Sequence, residues 1–243
     1  MRNEELSLRK IDLLVVNGTL LPLSPGSEPI PGGYVAVAAN RIVALGPASE
    51  AGGYAAEKTI DASGCVVMPG LINGHTHSAM SLFRGVADDL PLKTWLEEYI
   101  FPVERNCLGP GFVYWGALLA CAEMIRSGTT CFADGYYFEE EVAKAAGKAG
   151  LRALLGQGII DFEVPGCPTL SECLSRFESM VDEFSDSSLM TVGLFPHSTY
   201  TCSPALLEKC RDTAERFGTP LLIHLAETRN EVEEVSKEFG NTP

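Results

Sequence analysis

From about residue 66 onward, short apolar runs alternate with helical stretches, an order that few folds accommodate. Residues 66–73, 129–133, 151–160, 190–196 and 220–226 read as strands. Residues 112–127, 139–149, 170–184, 203–217 and 229–239 read as helices. That alternation is the signature of parallel βα units. Punctuation supports the boundaries: Gly128 and Gly150 close helices, and Ser203-Pro204 offers an N-cap followed by proline at the first helical position. A chain of 243 residues can bury roughly three quarters of its surface, enough for a core of barrel size.

The first 66 residues have a different texture. Runs at 11–16, 34–37, 41–45 and 58–60 read as short strands, broken by Asn17-Gly18, a Pro/Gly-rich stretch at 22–33, and Gly46-Pro47. Two domains are therefore expected: an all-β region over 1–66 and a βα region over 67–243.

Chemistry concentrates in a few motifs. In Val67-Met-Pro-Gly-Leu-Ile-Asn-Gly-His-Thr-His77 an apolar run ends in histidines spaced i, i+2. On a strand that spacing points both imidazoles to one face, and such a pair is half of a transition-metal site. The other two histidines, His197 and His224, also fall at expected strand ends. Alone, each has an ordinary reading as a structural histidine bonded to backbone. Together they place every histidine of the chain at strand ends on one edge of the sheet.

Charge and cysteine usage narrow the classes. The net charge of −14 argues against electrostatic binding to nucleic acid or anionic membranes. Eight cysteines without a Cys-x-x-Cys pair, several inside apolar runs, read as buried hydrophobes in a reducing compartment. The charged N-terminus lacks an apolar signal-peptide core and Glu123 interrupts the longest apolar stretch, so a cytoplasmic address is expected.

The stretch Pro69–His77, followed by Met80, Arg84-Gly85, Asp88-Asp89-Leu90-Pro91, Trp95 and Pro102-Val103-Glu104, resembles the amidohydrolase superfamily. The similarity is to the branch holding methylthioadenosine/S-adenosylhomocysteine deaminases and s-triazine hydrolases. Pro196-His197-Ser-Thr-Tyr-Thr-Cys-Ser203 and His224-Leu-Ala-Glu-Thr228 match the same branch in the same order.

The resemblance implies a TIM-type (β/α)8 barrel, here about five βα units, flanked by part of a small N-terminal β-sandwich. It implies one divalent metal ion, zinc ahead of iron or manganese, held by His75, His77 and His224. A metal there lowers the pKa of a bound water toward neutrality and gives a hydroxide nucleophile at pH 7. Glu227 matches the proton-shuttling glutamate. His197 matches a residue contacting the substrate base, Glu104 one that holds ribose hydroxyls, and Trp95 could stack on the base. Arg84, Asp88 and Asp89 are expected to brace a long loop over the site, from 78 to about 110, and Asp134 to be structural.

The expected reaction is hydrolytic deamination of an adenine nucleoside, releasing ammonia. Another aminated or chlorinated ring, such as a triazine, guanine or a pterin, is the alternative within the same machinery. No arginine lies between Arg152 and Arg176, where the homocysteine-accepting relatives carry the groups that bind the amino-acid tail. That disfavours S-adenosylhomocysteine. The resemblance also implies three further βα units bearing a histidine and a metal-binding, catalytic aspartate, which nothing after Glu227 supplies. The chain is therefore expected to be a fragment of a longer enzyme that self-associates, as related enzymes commonly do, and to be non-catalytic if it stands alone.

Overall fold

The computed structural model describes residues 8–243, and residues 1 to 7, part of the charged N-terminus noted above, lie outside them. The chain divides into two compact units, one reaching Gly70 and the other spanning Leu71–Pro243.

The first unit is a single sheet. Strands β1 (Arg9–Leu20), β2 (Ile30–Ala38), β3 (Arg41–Pro47) and β4 (Tyr54–Asp61) lie in the order β3-β2-β1-β4, and the short β5 (Val66–Val67) also pairs with β1. β1–β2 and β2–β3 are antiparallel, whereas β4 and β5 run parallel to β1. Its core is Ile11, Leu14, Tyr34 and Ala36. Asn17-Gly18, expected to end a strand, lies inside β1. Asn17 adopts a left-handed conformation (φ 67°) and the register with β2 slips between Val15 and Gly18, forming a bulge. Gly18 allows this because a Cβ there would sit 2.6 Å from Val67 Cγ2.

The second unit alternates strands and helices around a parallel sheet. It begins with β6 (Leu71–Thr76), then passes through α1 (Leu92–Thr94), α2 (Phe101–Cys107) and α3 (Pro110–Arg126) to β7 (Thr129–Tyr136). After α4 (Glu139–Ala149), β8 (Arg152–Ile159), α5 (Leu170–Glu183) and β9 (Met190–Pro196) come α6 (Pro204–Phe217) and α7 (Arg229–Phe239). The sheet order is β6-β7-β8-β9, all parallel, in an open arrangement. In β8 and β9 every residue but one at each strand start is buried or half-buried, which explains their unbroken apolar sequences. The helices cover the sheet with residues at helical spacing: Cys173, Phe177 and Met180 on α5, and Leu206, Cys210 and Ala214 on α6. Ser203 caps α6 by accepting the Leu206 N–H at 3.3 Å, with Pro204 at its first position. Gly218 ends the same helix at φ 64°.

Three departures from expectation matter for the site. The expected strand at 66–73 is split by Met68-Pro69-Gly70, so that β5 belongs to the first unit and only β6 to the parallel sheet. The segment at 220–226 follows β9 through isolated bridges rather than a continuous ladder. The Leu194 N–H donates to Pro220 O at 3.1 Å and the Leu222 N–H to Leu194 O at 2.8 Å. The next donor in register is Pro196, which has no N–H, so the pairing slips and the His224 N–H reaches His197 O at 2.9 Å. Finally, much of the expected loop at 78–110 is helical, with a 3-10 turn at Ser78–Phe83 and a π-helical turn, Trp95–Ile100, between α1 and α2.

Five of the eight cysteines are buried, while Cys65 and Cys107 are exposed. Among the described residues no single helix is long and apolar enough to cross a membrane.

Candidate active site

The strands of a parallel sheet all end at one edge, and the histidines gather there. His75 is the penultimate residue of β6 and His77 lies just beyond its end, His197 follows β9, and His224 sits on the bridging segment beside Ser198. His75 Nε2 is 3.4 Å from His77 Nε2 and 3.3 Å from His224 Nε2. One ligand atom from each of the three lies within 4.8 Å of the others. A tetrahedral zinc with Zn–N bonds of about 2.0–2.1 Å separates its ligand nitrogens by about 3.3–3.4 Å. The spacing therefore fits such an ion.

Protonation fits as well. His77 Nδ1 lies 2.6 Å from Gly135 O, a carbonyl that can only accept, so Nδ1 carries the proton and Nε2 presents a lone pair. Burial, helped by His197, His77 and His75, pushes His224 down to about 3, so its ring is neutral. Its Nδ1 is buried without a partner among the described residues. His75, by contrast, is exposed.

Asp134, fully buried at the end of β7, holds the chain on both sides of His77. Its Oδ1 accepts the Thr76 hydroxyl and the Ser78 N–H, each at 2.8 Å, and its Oδ2 accepts the Ser78 hydroxyl at 2.5 Å. Burial raises its pKa against the pull of these bonds.

A cavity of about 200 Å³ opens beside the histidines, and it is lined by all seven residues singled out from the sequence: Trp95, Glu104, Glu227 and the four histidines. Trp95 enters from the π-helical turn and Glu104 from α2. Glu104 is buried and accepts the Tyr136 phenol proton on Oε1. Burial raises its pKa to about 7 although the Tyr136 bond acts the other way. His197 is pushed down to about 4, chiefly by burial, and its Nδ1 lies 2.8 Å from Thr201 Oγ1.

Glu227 is exposed at the cavity wall. Its backbone is held by Glu231, which sequence reasoning passed over. Glu231 is 2% exposed and accepts the Glu227 N–H at 2.7 Å, the Ala226 N–H at 3.2 Å and the Thr199 hydroxyl at 2.6 Å. A signal existed: Thr228-Arg-Asn-Glu231 has the form of a capping box, and Thr228 does cap α7, accepting the Glu231 N–H at 3.1 Å. Tyr136 was also passed over, and nothing marks it in the sequence among other strand-end aromatics. Arg84 pairs with Glu123 on the surface, away from the cavity lining.

Comparison with known proteins points the same way. The model of the Amidohydrolase family matches residues 66–243. The 5-methylthioadenosine/S-adenosylhomocysteine deaminase of Syntrophobacter fumaroxidans is 48% identical over 235 residues, covering 96% of this chain and 53% of the relative. An adenosine deaminase from Xanthomonas campestris, solved with bound zinc, superposes with a TM-score of 0.94 at 38% identity, over 97% of this chain and 54% of that one. Atrazine chlorohydrolase from Arthrobacter aurescens, complexed with zinc, shares the fold at a TM-score of 0.81 and 18% identity, over 95% and 56% of the two chains. The chain spans about half the length of the curated relatives it matches.

Proposed function

The chain belongs to the amidohydrolase family, and from that premise we propose that the whole protein carries out metal-dependent hydrolytic deamination of an adenine nucleoside, releasing ammonia. The observation that carries this reading is the joining of a zinc-sized histidine triad to a cavity that also holds Glu104, Trp95 and Glu227. The names of the relatives favour adenosine-type substrates over the triazine, guanine and pterin alternatives.

His75, His77 and His224 would hold the ion, with zinc favoured because the solved neighbours carry it. When bound, it supplies Lewis-acid activation of the attacking water. The remaining work falls to the chain. Glu227 takes a proton at its carboxylate and passes it to the substrate, so that the amino group leaves as ammonia. Glu231 fixes the main chain from which Glu227 projects. Glu104, oriented by the Tyr136 hydroxyl, accepts from the ribose hydroxyls. His197, kept neutral by burial, contacts the base, and Trp95 covers it.

The tail of S-adenosylhomocysteine finds no guanidinium after β8. Gln157 is buried, donating Nε2 to Gly158 O at 3.2 Å, and it does not line the cavity. Arg176 is committed to Glu140 and to Gly166 O. Methylthioadenosine, adenosine and 5′-deoxyadenosine are therefore the favoured substrates. We read the first unit as part of a β-sandwich domain.

Ammonia release by the whole protein tests the reading. Turnover of adenosine-type nucleosides well above that of free adenine or guanine is expected. Turnover of the free bases or a triazine alone would overturn it.

A further inference from the structure

We infer that Thr201, Ser198 and Tyr200 are positioning residues for His197. Their hydroxyls join the Glu227 carboxylate to the His197 ring, hold the ring proton on Nδ1, and present Nε2 to the substrate as a hydrogen-bond acceptor. The inference rests on the reading above, in which His197 contacts the base.

The three hydroxyls come from one turn of chain after β9, closed by the Cys202 N–H donating to Ser198 O at 3.1 Å. Residues three apart in such a turn lie on one side, as they do on a helix, so Ser198 and Thr201 face the same way. Thr201 Oγ1 lies 2.8 Å from His197 Nδ1, whereas Ser198 Oγ is 3.2 Å from it. Thr201 is therefore the partner of Nδ1, and Ser198, fully buried and 2.6 Å from Thr201 Oγ1, is the next link. The Tyr200 hydroxyl is hydrogen-bonded both to Ser198 and to the Glu227 carboxylate. The turn is tied to Glu227 a second time. Thr199 Oγ1 donates to Glu231 Oε1 at 2.6 Å, and Glu231 Oε2 accepts the Glu227 N–H at 2.7 Å.

A hydroxyl both donates and accepts, so none of these groups alone can choose the tautomer of an uncharged imidazole. The choice is made at the end of the chain, because a carboxylate only accepts. Tyr200 donates to Glu227, Ser198 to Tyr200, Thr201 to Ser198, and His197 Nδ1–H to Thr201. His197 lines the cavity with Nδ1 engaged in this way, which leaves the lone pair of Nε2 for a donor on the substrate.

The test uses the zinc-loaded whole protein with isotope-labelled histidine. Nitrogen NMR of the His197 ring, assigned by its loss in His197→Asn, should show an imidazole protonated at Nδ1. Thr201→Val keeps the outline of the side chain and removes the link. It should bring in the other tautomer and lower kcat/KM for adenosine roughly tenfold, the scale of one lost hydrogen bond, and Thr201→Ser should restore both. Tyr200→Phe keeps the ring on the cavity wall and cuts the chain from Glu227, so it should shift the tautomer as Thr201→Val does. A fall in stability of Thr201→Val with the tautomer unmoved would reduce Thr201 to a folding role and overturn the inference. A parent ring protonated at Nε2 would overturn it as well, and either result leaves the deaminase reading standing. Failure to deaminate any nucleoside would overturn that reading, while the ring resonances would still decide the hydroxyl chain.

Discussion

Glu231 Oε2 accepts the backbone N–H of Glu227 at 2.7 Å, so that one carboxylate sets the main chain under another. The chain turns at Ala226 with φ 54°, and the Ala226 N–H is held by the other oxygen of Glu231 at 3.2 Å. Glu231→Ala would strip two backbone donors of their partner, at about 1–3 kcal/mol for each one left buried and unsatisfied. The expected result is a lower unfolding midpoint together with a fall in kcat larger than any change in KM. Glu231→Gln, which keeps one acceptor oxygen, should recover part of both. Loss of stability with kcat intact would show that Glu231 supports the fold alone.

Metal content offers a direct check on the triad. Chelation should abolish deamination by the whole protein, and added zinc should restore it. His224→Ala should leave the purified protein with little bound metal. Asp134→Asn is the more discriminating change, because the hydrogen bonds of Asp134 go to Thr76 and Ser78 on either side of His77 and to no ligand ring. Metal affinity should drop by roughly 10–100-fold, as found when partners behind a metal ligand are altered. Free zinc at a hundred times its dissociation constant should raise the stability of the unaltered protein by about 2.7 kcal/mol, and by less in Asp134→Asn.

Parts of this molecule are legible in its sequence for definite reasons. β8 and β9 are visible because strands buried on both faces become uninterrupted apolar runs. α6 is visible because Ser203-Pro204 and Gly218 mark its ends. His75 and His77 stand out because spacing alone places them on one face of a strand. Two features are hidden because they depend on contacts distant in sequence, and a third because it depends on a local reversal of the backbone. Asn17-Gly18 resembles a turn until Val67 is known to lie against it. The slip at 220–226 follows from a proline in the neighbouring strand. Glu231 looks like a routine capping residue, and its reach back to 226 and 227 requires the reversal at Ala226.

Gly116 tests how α3 packs behind the site. A Cβ on this residue would lie 2.3 Å from Ala79 O, in the 3-10 turn that follows His77. Backbone cannot move aside as a side-chain tip can, so Gly116→Ala should displace the turn and cost about 1–3 kcal/mol. Metal affinity should fall with stability, since Ser78 begins that turn. A variant as stable as the parent would mean that α3 can shift without strain.

Glu104 makes the last prediction, and its sign follows from burial. An ordinary glutamate titrates near 4.3, whereas burial lifts Glu104 to about 7 despite the proton it accepts from Tyr136. Between those values the folded protein holds a proton that the unfolded chain has released, so stability declines as pH rises through that window. Below about pH 4.3 the cost is absent, and above about pH 7 it is fully present, at roughly 4 kcal/mol. Neutral His197 and His224 contribute the opposite slope below about pH 6.5, so the Glu104 contribution is read as a difference. Unfolding of metal-free protein and of its Glu104→Gln variant at pH 5, 6, 7 and 8 should show the variant gaining relative stability as pH rises. Binding should move in the opposite sense. Only the ionised carboxylate accepts from both ribose hydroxyls, so KM for a nucleoside should fall as pH rises through about 7. That dependence should vanish in Glu104→Gln, with KM raised at high pH. A stability slope without a matching change in KM would make Glu104 a buried acid with no part in holding the ribose.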